Sequence, residues 1–128
     1  MLNFRQFEVA DPFGRTWQVF FKWLQTAISL RHSDSVDVRF VLTSGEIRVE
    51  KTIAMPHPEL VSLSNRSGHP LTDAWCSRLA AMHLKRLMET GEDIEKDLVT
   101  ISPDRLAEHA AALGLEEHAE VERRRGAA

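Results

Sequence analysis

Apolar and polar positions alternate with a period of two through most of the first half of the chain. Over residues 36–42, Val38, Phe40 and Leu42 fall on one face; after Thr43, Ser44 and Gly45, Ile47, Val49 and then Ile53 do the same. Alternation on both sides of a glycine-containing turn predicts a β-hairpin over 36–54. Nearer the N-terminus, Asp11-Pro12-Phe13-Gly14 has turn chemistry at each position: Asp bonds its own backbone, Pro presets φ, and Gly closes the turn. The flanking stretches, 2–10 and 15–24, read as a second hairpin. Leu2 and Phe4, then Phe7 and Val9, carry its first apolar set, and Trp17, Val19, Phe21 and Trp23 its second. Phe20, Trp23, Leu24, Ala27 and Ile28 also fit a helical stripe over 18–30. The aromatic and β-branched enrichment favours strand, with a bulge near Leu24-Gln25 where the apolar parity switches.

The period changes to that of a helix over residues 71–91. Trp75, Leu79 and Met82, with Cys76, Ala80 and Leu87, form a broad apolar stripe, and Ser77, Arg78 and Lys85 lie off it. Thr72 or Asp73 supplies an N-cap, and Gly91 a left-handed stop. Between hairpin and helix, residues 55–70 contain Pro56, Pro58 and Pro70 and read as a long loop with at most one helical turn near 59–63. Beyond Gly91 an acidic turn leads to 98–101, an apolar run suited to an edge strand. Ser102 then caps a helix with Pro103 at its first position. Leu106, Ala110 and Leu113 give that helix a thin apolar stripe, and Gly114 followed by Leu115 reads as its end.

These elements predict an α+β fold: an antiparallel β-meander of four to five strands packed on a central helix, with a short C-terminal helix. Residues 1–114 form a single domain, and 115–128 a solvated or frayed tail. The 36–54 hairpin has no evident cover for its edge, which suggests self-association.

Composition narrows the function classes. A 43% hydrophobic and 27% charged chain of 128 residues can bury a core of its own. A formal net charge of −3 makes a nucleic-acid partner unlikely. One cysteine allows no internal disulfide. The longest apolar window, 19–30, is interrupted by Lys22, Gln25 and Thr26 and is too short to span a bilayer. The N-terminus lacks a signal peptide's apolar core. A soluble, cytoplasmic protein with no membrane partner is the expectation.

Candidate chemistry is sparse. No two of the six glycines lie closer than 12 positions, which excludes phosphate-cradling glycine loops. No HExxH or CxxC spacing is present, so no metal and no cofactor is expected. His32 and Asp34 in one turn, or His57 and His69 in the long loop, are the nearest approach to a ligand set. Cys76 and His83 share a helix face but stand about 10 Å apart along the axis, too far for a nucleophile–base pair. Ser67, His69 and Asp73 carry the letters of a triad without the strained turn that presents a catalytic serine. Arg123-Arg124-Arg125 follow a run of glutamates and read as paired charges on a solvated helix.

The leading expectation is therefore a non-catalytic interaction or accessory module, joined to an unknown protein partner or to a second copy of itself. The alternative is a small-ligand-binding protein or enzyme with its site under the 55–73 stretch. There Arg66 would meet an anion, and His57, His69 and Asp73 would serve proton or metal chemistry.

Overall fold

The computed structural model describes residues 3–27 and 34–126. Leu2, His32 and the end of the 18–30 stretch lie outside them. The elements run β1 (Gln6–Ala10), β2 (Thr16–Ala27), β3 (Ser35–Ser44), β4 (Ile47–Pro56), α1 (His57–Ser67), α2 (Asp73–Thr90), β5 (Leu98–Thr100) and α3 (Pro103–Gly126). The architecture is α+β. Five strands lie in the order β1-β2-β3-β4-β5, and the helices pack on one face.

Both expected hairpins form, and so does the edge strand. Asp11 organises the first turn: Oδ1 accepts from Phe13 N at 2.9 Å and Arg15 N at 3.0 Å, and Oδ2 accepts from Trp17 Nε1 at 3.0 Å. Strand rather than helix wins over 18–27, but the bulge comes earlier than expected, between Phe21 and Trp23. Phe21 pairs with Phe40, whereas Trp23 pairs with Arg39 and Leu24 with Val38. Lys22 is thus the extra residue, and it turns Trp23 to the face opposite Trp17, Val19 and Phe21.

Three expectations fail for identifiable reasons. The meander is not wholly antiparallel, because β5 pairs parallel to β4, with Ile53 opposite Val99. The 36–54 hairpin consequently lies inside the sheet, flanked by β2 and, over 52–54, by β5, so its edge is covered in part. Residues 55–70 are largely helical. Pro56 occupies the N-cap of α1 and Pro58 its first turn, where the missing amide hydrogen would have no helical partner anyway, and Gly68 ends the helix at φ 71°. Finally, α3 runs through Gly114 to Gly126 as one long helix, so nothing breaks the chain there. Burial does change at that point: no described side chain after Leu113 is buried.

Val19, Val38, Phe40, Leu42, Ile53 and Met55 are fully buried between sheet and helices, each worth about 1.5–3 kcal/mol for leaving water. Phe21 meets Phe4 and Phe40 edge-on, with centroids 5.4 and 6.2 Å apart. Thr72 caps α2 by accepting from Trp75 N at 3.1 Å, and Gly91 ends it at φ 77°. The buried face of α2 is wider than a single stripe and includes Ser77, Ala81 and Leu84 as well as Trp75 and Leu79. The cause is position: α2 touches the sheet on one side and α3 on another.

A cation completes this layer. Lys51, 4% exposed and opposite Phe40, donates from Nζ to the carbonyls of Ile94 and Lys96, both at 2.6 Å. It ties the 91–97 turn to the sheet. Burial lowers its pKa from the usual lysine value, against the pull of Asp97 and Glu95.

Candidate functional site

The helices leave the other face of the sheet open. Register places Phe20 opposite Val41, Trp23 opposite Arg39, and Gln18 opposite Thr43 there, continuing across β3–β4 as Val41–Glu50, Arg39–Thr52 and Thr43–Arg48. Phe20 is 38% exposed, and Trp23 and Val41 are half-buried. Leu98 on β5, aligned with Thr52, is 59% exposed. The expected core face of β2 therefore loses one tryptophan to this open side.

Charge is concentrated among these apolar groups. Glu50 receives Lys22 at 2.5 Å, Arg39 at 3.2 Å and Arg48 at 3.8 Å, and Arg39 also donates to Thr52 Oγ1 at 2.7 Å. Hydrogen bonds from Lys22 and then Arg39 hold the Glu50 carboxyl below the usual carboxylate range. Three cations around one carboxylate give this cluster a local positive excess, while Glu8, opposite Gln18, and Asp37, opposite Gln25, bring carboxylates to the same face.

The four residues singled out under the 55–73 stretch do not converge. His57 and Asp73 share a small groove with Thr26, Thr72 and Cys76. His69 lies in another, stacked on Trp75 at 5.1 Å with its Nε2 3.4 Å from Glu117. Arg66 is exposed in the last turn of α1. The first groove brings together a thiol, an imidazole and a carboxylate. Burial, reinforced by Asp73, pushes the Cys76 thiol up to about 11, which leaves it protonated at neutral pH and disqualifies it as a nucleophile.

The sequence did not suggest a third feature. His83 Nδ1 on α2 lies 3.0 Å from His109 Nε2 on α3, a pairing 26 residues apart in the chain. Beside it a cleft of about 170 Å³ is lined by Arg86, Thr100, Ser102 and Arg105, with Glu92 and Asp93 also on its wall. Mixed charge gives that cleft no single preference for an anion or a cation. Among the described residues no group of three or more His, Cys, Asp or Glu side chains could hold a metal ion. Nor is any helix among them long and apolar enough to cross a membrane. The histidine pair could have been suspected only from His83 sitting within an apolar stripe; its partner gave no signal in the sequence.

No family model matches the chain, and no match was found among curated proteins or among solved structures.

Proposed function

We propose that the chain is a non-catalytic, cytoplasmic interaction module that docks a partner protein on the open face of its sheet. The observation carrying this reading is the run of Phe20, Val41 and Trp23 across β2 and β3, set in the cluster of Lys22, Arg39 and Arg48 around Glu50. Aromatic side chains and arginine are the residue types that anchor protein interfaces. An antiparallel sheet facing only water would ordinarily carry polar side chains at these positions.

Charge selects the occupant: a partner segment that presents apolar side chains flanked by carboxylates. A second copy fits less well where the two Glu50 clusters would meet, because cations would then be set against cations. The small-ligand alternative has less support because, of His57, Arg66, His69 and Asp73, only His57 and Asp73 share a groove.

Selection of displayed peptides against the protein, followed by amide-shift mapping, tests the proposal. The expected result is peptides rich in acidic and aromatic or aliphatic residues that shift amides in β2, β3 and β4, with binding weakened about tenfold or more by the double substitution Phe20→Ser and Trp23→Ser. Peptides that bind the double variant undiminished, or shift only α2 and α3, would sink it. Sedimentation over a range of concentrations separates the second-copy case: a dimer abolished by the same substitutions would transfer the face to self-association.

A further inference from the structure

The body grips α3 through a short stretch, with Leu106, His109 and Leu113 as its buried side chains. One of these three is a histidine whose Nε2 meets His83 Nδ1 at 3.0 Å, the rings 5.2 Å apart and inclined at 72°. Such a contact admits one hydrogen between the two nitrogens: one ring donates, the other accepts. A neutral pair satisfies this, and so does a pair sharing a single added proton. A second proton leaves no acceptor and places two cations face to face.

The charged surroundings are mixed. From α2, Lys85, Arg86 and Glu89 face the pair; from the 91–97 turn, Glu92 and Asp93; from α3, Arg105, Glu108 and Glu116. Several of these neutralise one another: Lys85 with Glu89 at 3.8 Å, Asp93 with Lys96 at 3.0 Å, and Arg105 with Glu108 at 2.9 Å. The half-buried Arg86 guanidinium has no ion-pair or hydrogen-bond partner among the described residues and works against a proton on either ring, whereas Glu92 and Asp93 favour one on His83 and Glu108 favours one on His109. Burial is the chief cause that lowers the proton affinity of both rings. Arg86 is the next for His83, and His83 itself the next for His109, which falls to about 4.

We propose that the His83–His109 pair is an acid-sensitive latch, which holds α3 on α2 at neutral pH and releases it when both rings are protonated. The direction follows from proton counting. A released histidine takes its proton near pH 6.5, whereas the docked pair accepts its second proton only at lower pH. Between those limits the released state therefore binds more protons, and acid favours it. The docked helix is fully stabilised above about pH 6.5 and loses that support as pH falls toward 4. The sheet and α2 keep their own core, so release is local.

Amide hydrogen exchange between pH 7 and 4.5, corrected for intrinsic rates, tests the latch. Protection over 104–113 is expected to fall about tenfold or more, while β3 and β4 amides keep theirs. In the double variant His83→Leu and His109→Leu, α3 protection is expected to stay flat across the same range. Flat protection in the wild type, an equal loss in the double variant, or simultaneous loss from β3 and β4 would overturn the proposal. Should the double variant not fold, the ring titrations of the wild-type protein decide by nuclear magnetic resonance. Midpoints well below 6.5 that coincide with α3 release support the latch, and midpoints near 6.5 overturn it.

Discussion

On the inner side of β3, Val36, Val38, Phe40 and Leu42 are buried; on the outer side of the same strand, Arg39, Val41 and Thr43 are only half so. One alternation rule builds both faces, and a single residue, Lys22, decides which aromatic side chains of β2 go to each. The inner face spends its side chains on a sealed layer under α1 and α2. The outer face keeps Phe20 and Trp23 partly in contact with water, where they add less to stability than the sealed side chains do. Large apolar groups left partly in water are available for recognition. The comparison separates residues that hold the protein together from residues free to meet something else.

Truncation is the hardest test of that separation. Phe40→Ala opens a cavity in the sealed layer and is expected to cost about 3–5 kcal/mol. Chemical denaturation measures it, and a loss below about 1 kcal/mol would show the inner face to be less tightly packed than its burial implies. A smaller contrast uses the same residue type on the two faces. Lys51→Met removes the donor shared by the Ile94 and Lys96 carbonyls, for an expected loss of about 1–3 kcal/mol together with faster amide exchange in the 91–97 turn. Lys22→Met removes an exposed partner of Glu50, and its expected cost lies within about 1 kcal/mol. Equal losses at the two lysines would break the comparison. At the bottom of the scale, Phe20→Ser is expected to change the unfolding free energy by about 1 kcal/mol or less while impairing peptide capture. A large loss of stability there would return Phe20 to the core.

Much of this layout was legible from residue spacing. The 36–54 hairpin, the Asp11 turn, the capped helix ending at Gly91 and the Ser102–Pro103 helix start all depend on local chemistry that the sequence displays. What escaped depends on contacts between distant segments. Pro56 and Pro58 read as breakers because their harmless placement at a helix N-terminus shows only once the helix is seen. Gly114 read as a stop, yet α3 continues because helix formers on both sides outweigh one glycine, which costs about 1 kcal/mol. Trp23 was assigned to the inner face because the parity switch was placed a few residues too late, and a one-residue shift reverses every side chain beyond it. Of the four candidate site residues, proximity in sequence suggested convergence, but α1 and the start of α2 carry His57 and Asp73 to one groove and His69 to another. The His83–His109 contact is invisible to periodicity, since neither residue marks the other.

The parallel pairing of β5 with β4 sets an order in time. β1 to β4 can assemble as each leaves the ribosome, because every one pairs with its predecessor. The last partner of β4 arrives only after α1 and α2 have been synthesised and have crossed the sheet. During that interval the backbone of Thr52, which later donates to Asp97 O at 2.7 Å, and the carbonyl of Ala54, which later accepts from Ile101 N at 2.9 Å, have no protein partner. A chain whose residues 98–101 have not yet emerged therefore presents an unfinished row of hydrogen-bonding groups to whatever is nearby, a hazard that the docking of β5 removes.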